Sequence, residues 1–384
     1  MTLWRNATWR ALFMQVGVVV IVLTLGIWVF NNTMNNLEHR GISTGFGFLS
    51  QEAGFGILQS LVAYDESHSY GRTYVVGILN TLLVSVLGIA LATVLGFMVG
   101  IARLSSNWLL ARLATIFIET FRNIPLLLQI FFWYFAVLAA LPHPRQSLAL
   151  GDSIFLNLRG LFLPRPLMEG GMPFLLSVLF AIGVALMVRR LNQRQRVETG
   201  EGFSDGSWIL WGGLLLGIPA VVWWLSDASL AFELPVLRGF NFRGGIAIIP
   251  ELGALLLALT IYTAAFIAEV VRAGIESVNK GQKEAAASLG LKPGKVLSLV
   301  VIPQAMRVII PPLTNQYLNL AKNSSLATAI GYPDLVNVFA GTTLNQTGQA
   351  VEVIAMTMVV YLTISLSVSL LMNLYNRRMA LIER

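Results

Sequence analysis

Asn315, Asn319, Lys322 and Asn323 recur at spacings of four, three and one residues inside a long apolar run. On a helix that spacing draws a polar stripe down one face. A Lys ammonium binds a carboxylate, and amide side chains both donate and accept, so the stripe has the chemistry to hold a small zwitterionic solute. Ser324 adds a hydroxyl at its end. Pro311 and Pro312 are read as standing near the start of this helix, leaving backbone carbonyls that only protein or water can satisfy. Glu119 and Arg122 lie three residues apart in another apolar run, close enough on a helix to pair with each other, and Glu269 lies three residues before Arg272. An ionisable group in an apolar span costs about 2.5–3.5 kcal/mol on insertion scales, so each marks a functional hypothesis, with Glu119 and Arg122 candidates for a solute path and Glu269 read as a structural pair with Arg272. The plainer reading is an ion pair for the charges and hydrogen bonds between helices for the amides.

A second group of residues has a different character. Gln282–Leu289 is a string of strong helix formers. Gly290 falls where a helix ends on a left-handed residue, and Pro293 blocks continuation. Ala285, Ala286 and Ala287 let another surface approach closely, and Lys280, Lys283, Lys292 and Lys295 surround them. The segment reads as a docking knob.

Long apolar helices must position both groups. The chain of 384 residues is 56% hydrophobic and only 12% charged, against roughly 25% charged in ordinary soluble domains. A span needs roughly 20 apolar residues. Eight runs are predicted: 11–30, 74–102, 113–141, 173–188, 208–226, 252–271, 306–321 and 353–374. The first is not a cleavable leader, because its core is long and Asn31-Asn32-Thr33-Met34-Asn35 offers no small-residue cleavage pattern. With both termini on the cytoplasmic side, seventeen basic residues fall inside and seven outside. Arg122 and Lys322 lie in spans and complete the 26 Lys and Arg of the chain. That bias follows the positive-inside rule. It also accounts for the net charge of +7 without nucleic acid. The outside loops are 31–73, 142–172, 227–251 and a stretch near 331–351. The first, with Phe46, Phe48 and Phe55, is read as an amphipathic segment along the interface.

Several chemistries are excluded by residue type. Cysteine is absent, and His39, His68 and His143 are scattered outside the apolar runs, so no metal site is expected. No GxxxxGK[ST] loop is present, so ATP is not expected to bind this chain. No nucleophile–base–orienter set is visible either.

The order Glu284-Ala285-Ala286, three residues, Gly290, nine residues, then Val300-Val301-Ile302-Pro303 resembles the coupling loop of ATP-binding-cassette importer permeases. Phe121–Gln129, Tyr262–Glu269 and Lys322–Leu326 resemble the polar-amino-acid branch of that family. The extra N-terminal helix and the insertion at 142–247 resemble its longer, broad-range members. The resemblance implies an all-α polytopic membrane protein of about eight transmembrane helices with a five-helix type I importer permease core. Its expected organisation is a helix and loop at 1–73, a permease domain at 74–375 carrying the insertion, and a cytoplasmic tail at 376–384. It implies that Glu284, Ala285, Ala286 and Gly290 couple to a separate ATPase, and that no cofactor is bound here. The implied partners are two copies of a cytoplasmic ATP-binding subunit, a second and different permease, a periplasmic amino-acid-binding protein and the lipid of the bacterial inner membrane. Substrate-pathway candidates are Asn315, Asn319, Lys322, Asn323, Ser324, Glu119 and Arg122. The competing readings are a gated channel or an ion-driven secondary transporter. Neither needs the knob, and no inverted repeat is visible.

Overall fold

A computed structural model describes residues 7–39, 41, 44–169, 171–199, 212–225 and 229–379. The chain divides into two compact units, Met1–Ala136 with Glu251–Arg384, and Val137–Pro250. Among the described residues, six helices are long and apolar enough to cross a membrane.

In the first unit, α1 (Ala7–His39) is apolar, and its most apolar window has no buried residue. An apolar surface of that extent marks a contact with lipid or with another protein rather than with water. α2 (Tyr70–Arg103) buries Val76, Asn80, Val84, Gly88, Ala92, Gly96 and Gly100, a stripe at helical spacing. The small residues are needed: a methyl group on Gly96 would come within 2.6 Å of Ile267 Cβ on α7 (Pro250–Glu276). Small residues four apart let two membrane helices approach closely. Over half of the apolar window of α7 is buried, more than in any other long helix described.

The third predicted run is a broken helix. α3 (Trp108–Asn123) and α4 (Leu126–Phe131, continued by a π-turn Phe132–Leu138) meet at 105°. Ile124 is extended, as the residue before Pro125 prefers. The break frees the carbonyls of Phe121 and Ile124, and the buried Gln129 amide donates to both at 3.0 Å.

α8 (Lys280–Ser288) and α9 (Pro293–Val296) lead through a π-turn, Leu297–Val301, into α10 (Ile302–Asn323). Pro311 and Pro312 therefore lie inside α10 and not near its start, which corrects the sequence reading. Burial of Ile309, Ile310 and Leu313 on the packed side holds the helix through the lost hydrogen bonds, while both prolines face outward. The stretch near 331–351 is not an open loop. Tyr332, Asp334 and Leu335 are fully buried, and Val336–Thr343 coils into a π-helix ahead of α11 (Leu344–Thr347) and α12 (Ala350–Met379). The 44–69 segment also departs from expectation. Phe48 is 2% exposed and packs with Tyr70, Leu335, Phe339 and Val353, since a large aromatic gains more from a packed core than from an interface.

The second unit holds α5 (Gly171–Thr199) and α6 (Ile218–Leu225, preceded by a π-turn Gly213–Gly217). α5 continues past the predicted end at Val188. The start of the fifth predicted run, 208–211, lies outside the described residues. The insertion also carries strands that the hydropathy runs did not show. β1 (Leu148–Leu150), β2 (Ile154–Asn157), β3 (Gly160–Leu163) and β8 (Ile246–Ile248) form an antiparallel sheet in that order. β4 (Arg165–Glu169) pairs β5 (Ser229–Glu233), and β6 (Val236–Arg238) pairs β7 (Asn241–Arg243). Phe155 and Phe162 pack on Phe242 at 4.5 and 5.0 Å between ring centroids.

Candidate functional site

The knob is built from local backbone chemistry. The Asn279 side chain accepts from Gly281 N at 2.9 Å and starts α8 two residues ahead of the expected position. At the other end Gly290 sits at φ +76°, and its N–H donates to Ala287 O at 2.9 Å. This is the left-handed termination its sequence position called for. Ala286 is buried and seats the helix, while Glu284, Ala285 and Gly290 are exposed. Leu289 is 82% exposed, which extends the outward surface with an apolar side chain.

An ion network ties three helix ends together. Glu269 accepts from Arg103 at 2.6 Å and from Arg272 at 2.6 Å, and Arg272 also reaches Glu276. The expected Glu269–Arg272 pair thus forms and gains a partner from α2. The expected Glu119–Arg122 pair does not. Glu119 faces Arg103 at 3.9 Å, and the Arg122 guanidinium lies over the Phe266 ring at 5.2 Å. The physical reason is exposure, since the break at Pro125 lies beyond both residues. α3 is an amphipathic helix rather than half of a straight span, so Glu119 is 56% exposed and has no need of a neighbour on its own helix.

Asn315, Asn319 and Lys322 are exposed along one side of α10, Asn323 is half-buried, and Ser324 is buried with its hydroxyl donating to Ala321 O at 2.8 Å. Lys322 opens onto a groove of about 500 Å³ whose other walls include Ser325, Val336, Thr357 and Tyr361. The structure therefore brings Lys322 to a groove. Asn315 and Asn319 stand on the open face of the chain.

Behind the groove stands a residue that sequence reasoning missed. Asp334 is fully buried, accepts from Asn337 N at 2.8 Å and from the Tyr361 hydroxyl at 3.4 Å. Among the described residues it has no ion-pair partner, and burial pushes its carboxyl up to about 7. Gly331-Tyr332-Pro333-Asp334 reads as a turn, with no periodicity to announce burial. The one available signal was an acid wedged between two apolar helices. Asn80 and Thr81 of α2 hold this corner: Asn80 Nδ2 donates to Pro333 O at 2.8 Å, and Leu335 N donates to Thr81 Oγ1 at 3.0 Å.

Residues 88–381 match the family described as the binding-protein-dependent transport system inner membrane component. The chain belongs to that family. As a permease it is similar over nearly its whole length to several relatives. It is 57% identical to the putative amino-acid ABC transporter permease protein YhdX of Escherichia coli, over 99% of this chain and 96% of that one. It is 49% identical to the general L-amino acid transport system permease protein AapQ of Rhizobium johnstonii, over 98% and 94%. The glutamate/glutamine/aspartate/asparagine transport system permease protein BztB of Rhodobacter capsulatus is 42% identical, over 99% and 96%. The permease is thus a multi-pass membrane subunit, and its long apolar helices agree with that placement.

Proposed function

We propose that this permease carries polar L-amino acids into the cell across the bacterial inner membrane, driven by ATP that separate subunits hydrolyse. The observation that carries the reading is the knob: a capped, outward-facing α8 with Glu284 and Ala285 exposed and Gly290 in the left-handed conformation. Its sequence resembles the coupling loop, and the relatives named for amino acids match the full chain. The chain has no phosphate-binding loop of its own. One of two ATP-binding subunits docks at Glu284–Gly290, a different permease completes the pathway, and a periplasmic receptor delivers substrate. Both termini face the cytoplasm, in keeping with the bias of basic residues.

Along the route, Asn315, Asn319, Lys322 and Asn323 offer donors and a cation to the substrate carboxylate, with Ser324 behind them. Glu119 and Arg122 flank the inner end, where Glu119 meets Arg103. The testing experiment is purification of the intact complex through a tag on this chain, with its subunits identified by mass. Recovery of an ATP-binding subunit and a second permease, with substrate-stimulated ATP hydrolysis after reconstitution, is the expected result. A chain that transports without any ATPase attached would overturn the reading in favour of a secondary transporter or channel.

A further inference from the structure

α8 has two separate faces. At 3.6 residues per turn, Gly281, Ala285 and Ser288 share one side, and all three are exposed. Lys283 and Ala287 lie on the opposite side, where they form one edge of an open groove of about 330 Å³. Ile275, Leu291, Val296 and Val301 are among its other walls, and every lining side chain except Lys283 is apolar. Ile275 is the penultimate residue of α7, and Val296–Val301 belong to the helical run from Pro293 that continues into α10. The groove therefore lies where one span leaves the bilayer and the next enters it.

Its charge surroundings are one-sided. Lys280, Lys283, Lys292 and Lys295 accompany a single carboxylate, Glu284, between residues 280 and 295. Among the described residues none of these lysines has an ion-pair partner. An enclosed apolar cavity of roughly 150 Å³ takes a benzene, so an open groove of this volume has room for several carbons of a chain. A free anion would satisfy Lys283 and leave the apolar walls wet, whereas a neutral lipid would fill the walls and leave the lysines unpaired. The cytoplasmic leaflet supplies molecules that do both, and basic clusters beside membrane helices attract them.

We infer that the open groove alongside α8 holds an acyl chain of an anionic phospholipid from the cytoplasmic leaflet, with Lys283 on its phosphate. This rests on the cytoplasmic placement of the knob proposed above. The lipid fills the space behind the coupling helix and sets how firmly α8 resists being pushed from its outer face. Coupling then depends on the anionic lipid content of the membrane.

The test uses the intact complex in nanodiscs of phosphatidylcholine with and without phosphatidylglycerol. Retained lipid is counted by native mass spectrometry, and substrate-stimulated ATP hydrolysis is measured in parallel. The parental complex is expected to keep bound phosphatidylglycerol and to lose stimulation when it is omitted. Lys283→Gln should weaken retention roughly fivefold and flatten the lipid dependence, Lys283→Arg should preserve both, and Ala287→Leu should expel lipid with the charge intact. Equal retention and equal lipid dependence in all four proteins would overturn the inference. So would rescue of phosphatidylcholine discs by inorganic phosphate. Loss of the ATPase from Lys283→Gln at unchanged lipid count would do the same, making Lys283 a protein contact. Failure of the importer reading is distinguishable, because no ATP-binding subunit would then accompany even the parental chain.

Discussion

α8 and α10 reach similarly exposed positions by opposite means. α8 is nine residues long with one buried side chain, Ala286, and its shape is fixed by Asn279 at one end and Gly290 at the other. α10 is 22 residues long, has two prolines inside it, and is held by Ile309, Ile310, Leu313 and Leu320 packed behind it. Its polar stripe is the side left over after packing. The lesson is that a knob depends on two backbone conformations, whereas the polar face proposed to line a pathway depends on everything behind it. A single substitution at a cap should then disable the first outright, and the second should degrade by the chemistry of the group removed.

The sharpest break in that comparison is Gly290→Val. A β-branched residue at φ +76° is strongly disfavoured, and the strain falls on the surface proposed to receive the ATPase. Amino-acid uptake should drop by roughly an order of magnitude or more, given strain of about 1–3 kcal/mol, with normal amounts of protein in the membrane by immunoblot. Uptake at the parental rate would show that the knob does not couple.

Next in size is Lys322→Met, which keeps length and apolar packing and removes the charge facing the groove. Loss of a charge-assisted hydrogen bond costs about 1.5–3 kcal/mol, so uptake should fall about tenfold to a hundredfold while basal ATP hydrolysis continues. A complex that instead assembles poorly would make Lys322 structural, and α10 would then resemble neither a knob nor a lining.

Asp334→Asn tests the support behind the groove. The folded carboxyl titrates at about 7, against an ordinary value of 3.8. Protonated Asp334 favours the folded state, so its contribution is complete below about pH 4, is lost as pH rises towards 7, and is level above that. Thermal melting of the purified complex should show that slope in the parental protein, and Asp334→Asn should flatten it. An unchanged slope would place the pH response elsewhere.

The smallest effect belongs to Asn279→Ala. Loss of an N-cap costs about 1 kcal/mol, enough to fray the start of α8 without altering Gly290. Uptake should decline a few-fold at most, and Asn279→Asp should restore it. If Asn279→Ala were as severe as Gly290→Val, the N-terminal end of α8 would contribute to docking directly.

The same contrast governs what the sequence alone discloses. The knob was legible because Gly290, Pro293 and the alanines act on their own neighbours. The apolar runs were legible for a similar reason, since each satisfies its backbone internally. The strands of the insertion escaped notice because each is only three to five residues long, too short for an alternation to stand out. Asp334 was hidden for a deeper reason: its burial depends on Asn80, Thr81 and Tyr361, which are remote in sequence or on another helix. The run at 113–141 was misread as a straight helix through Pro125, while the opposite error was made at Pro311-Pro312. In neither case does proline by itself decide. What decides is whether packing holds the helix, as at Ile309 and Ile310, or a side chain satisfies the opened carbonyls, as Gln129 does.

That role of Gln129 has a mechanical consequence. A straight rod transmits a push along its axis, but a right-angled elbow converts a push on one arm into a swing of the other. The α3 arm is 16 residues long, or about 24 Å at the usual rise per residue, so a rotation of roughly ten degrees moves its tip about 4 Å. Arg103 and Glu119 stand 3.9 Å apart, which brings that arm near the end of α2. Gln129 braces the elbow by bridging its two sides, so a push on α3 would be passed on as leverage instead of being absorbed at the corner.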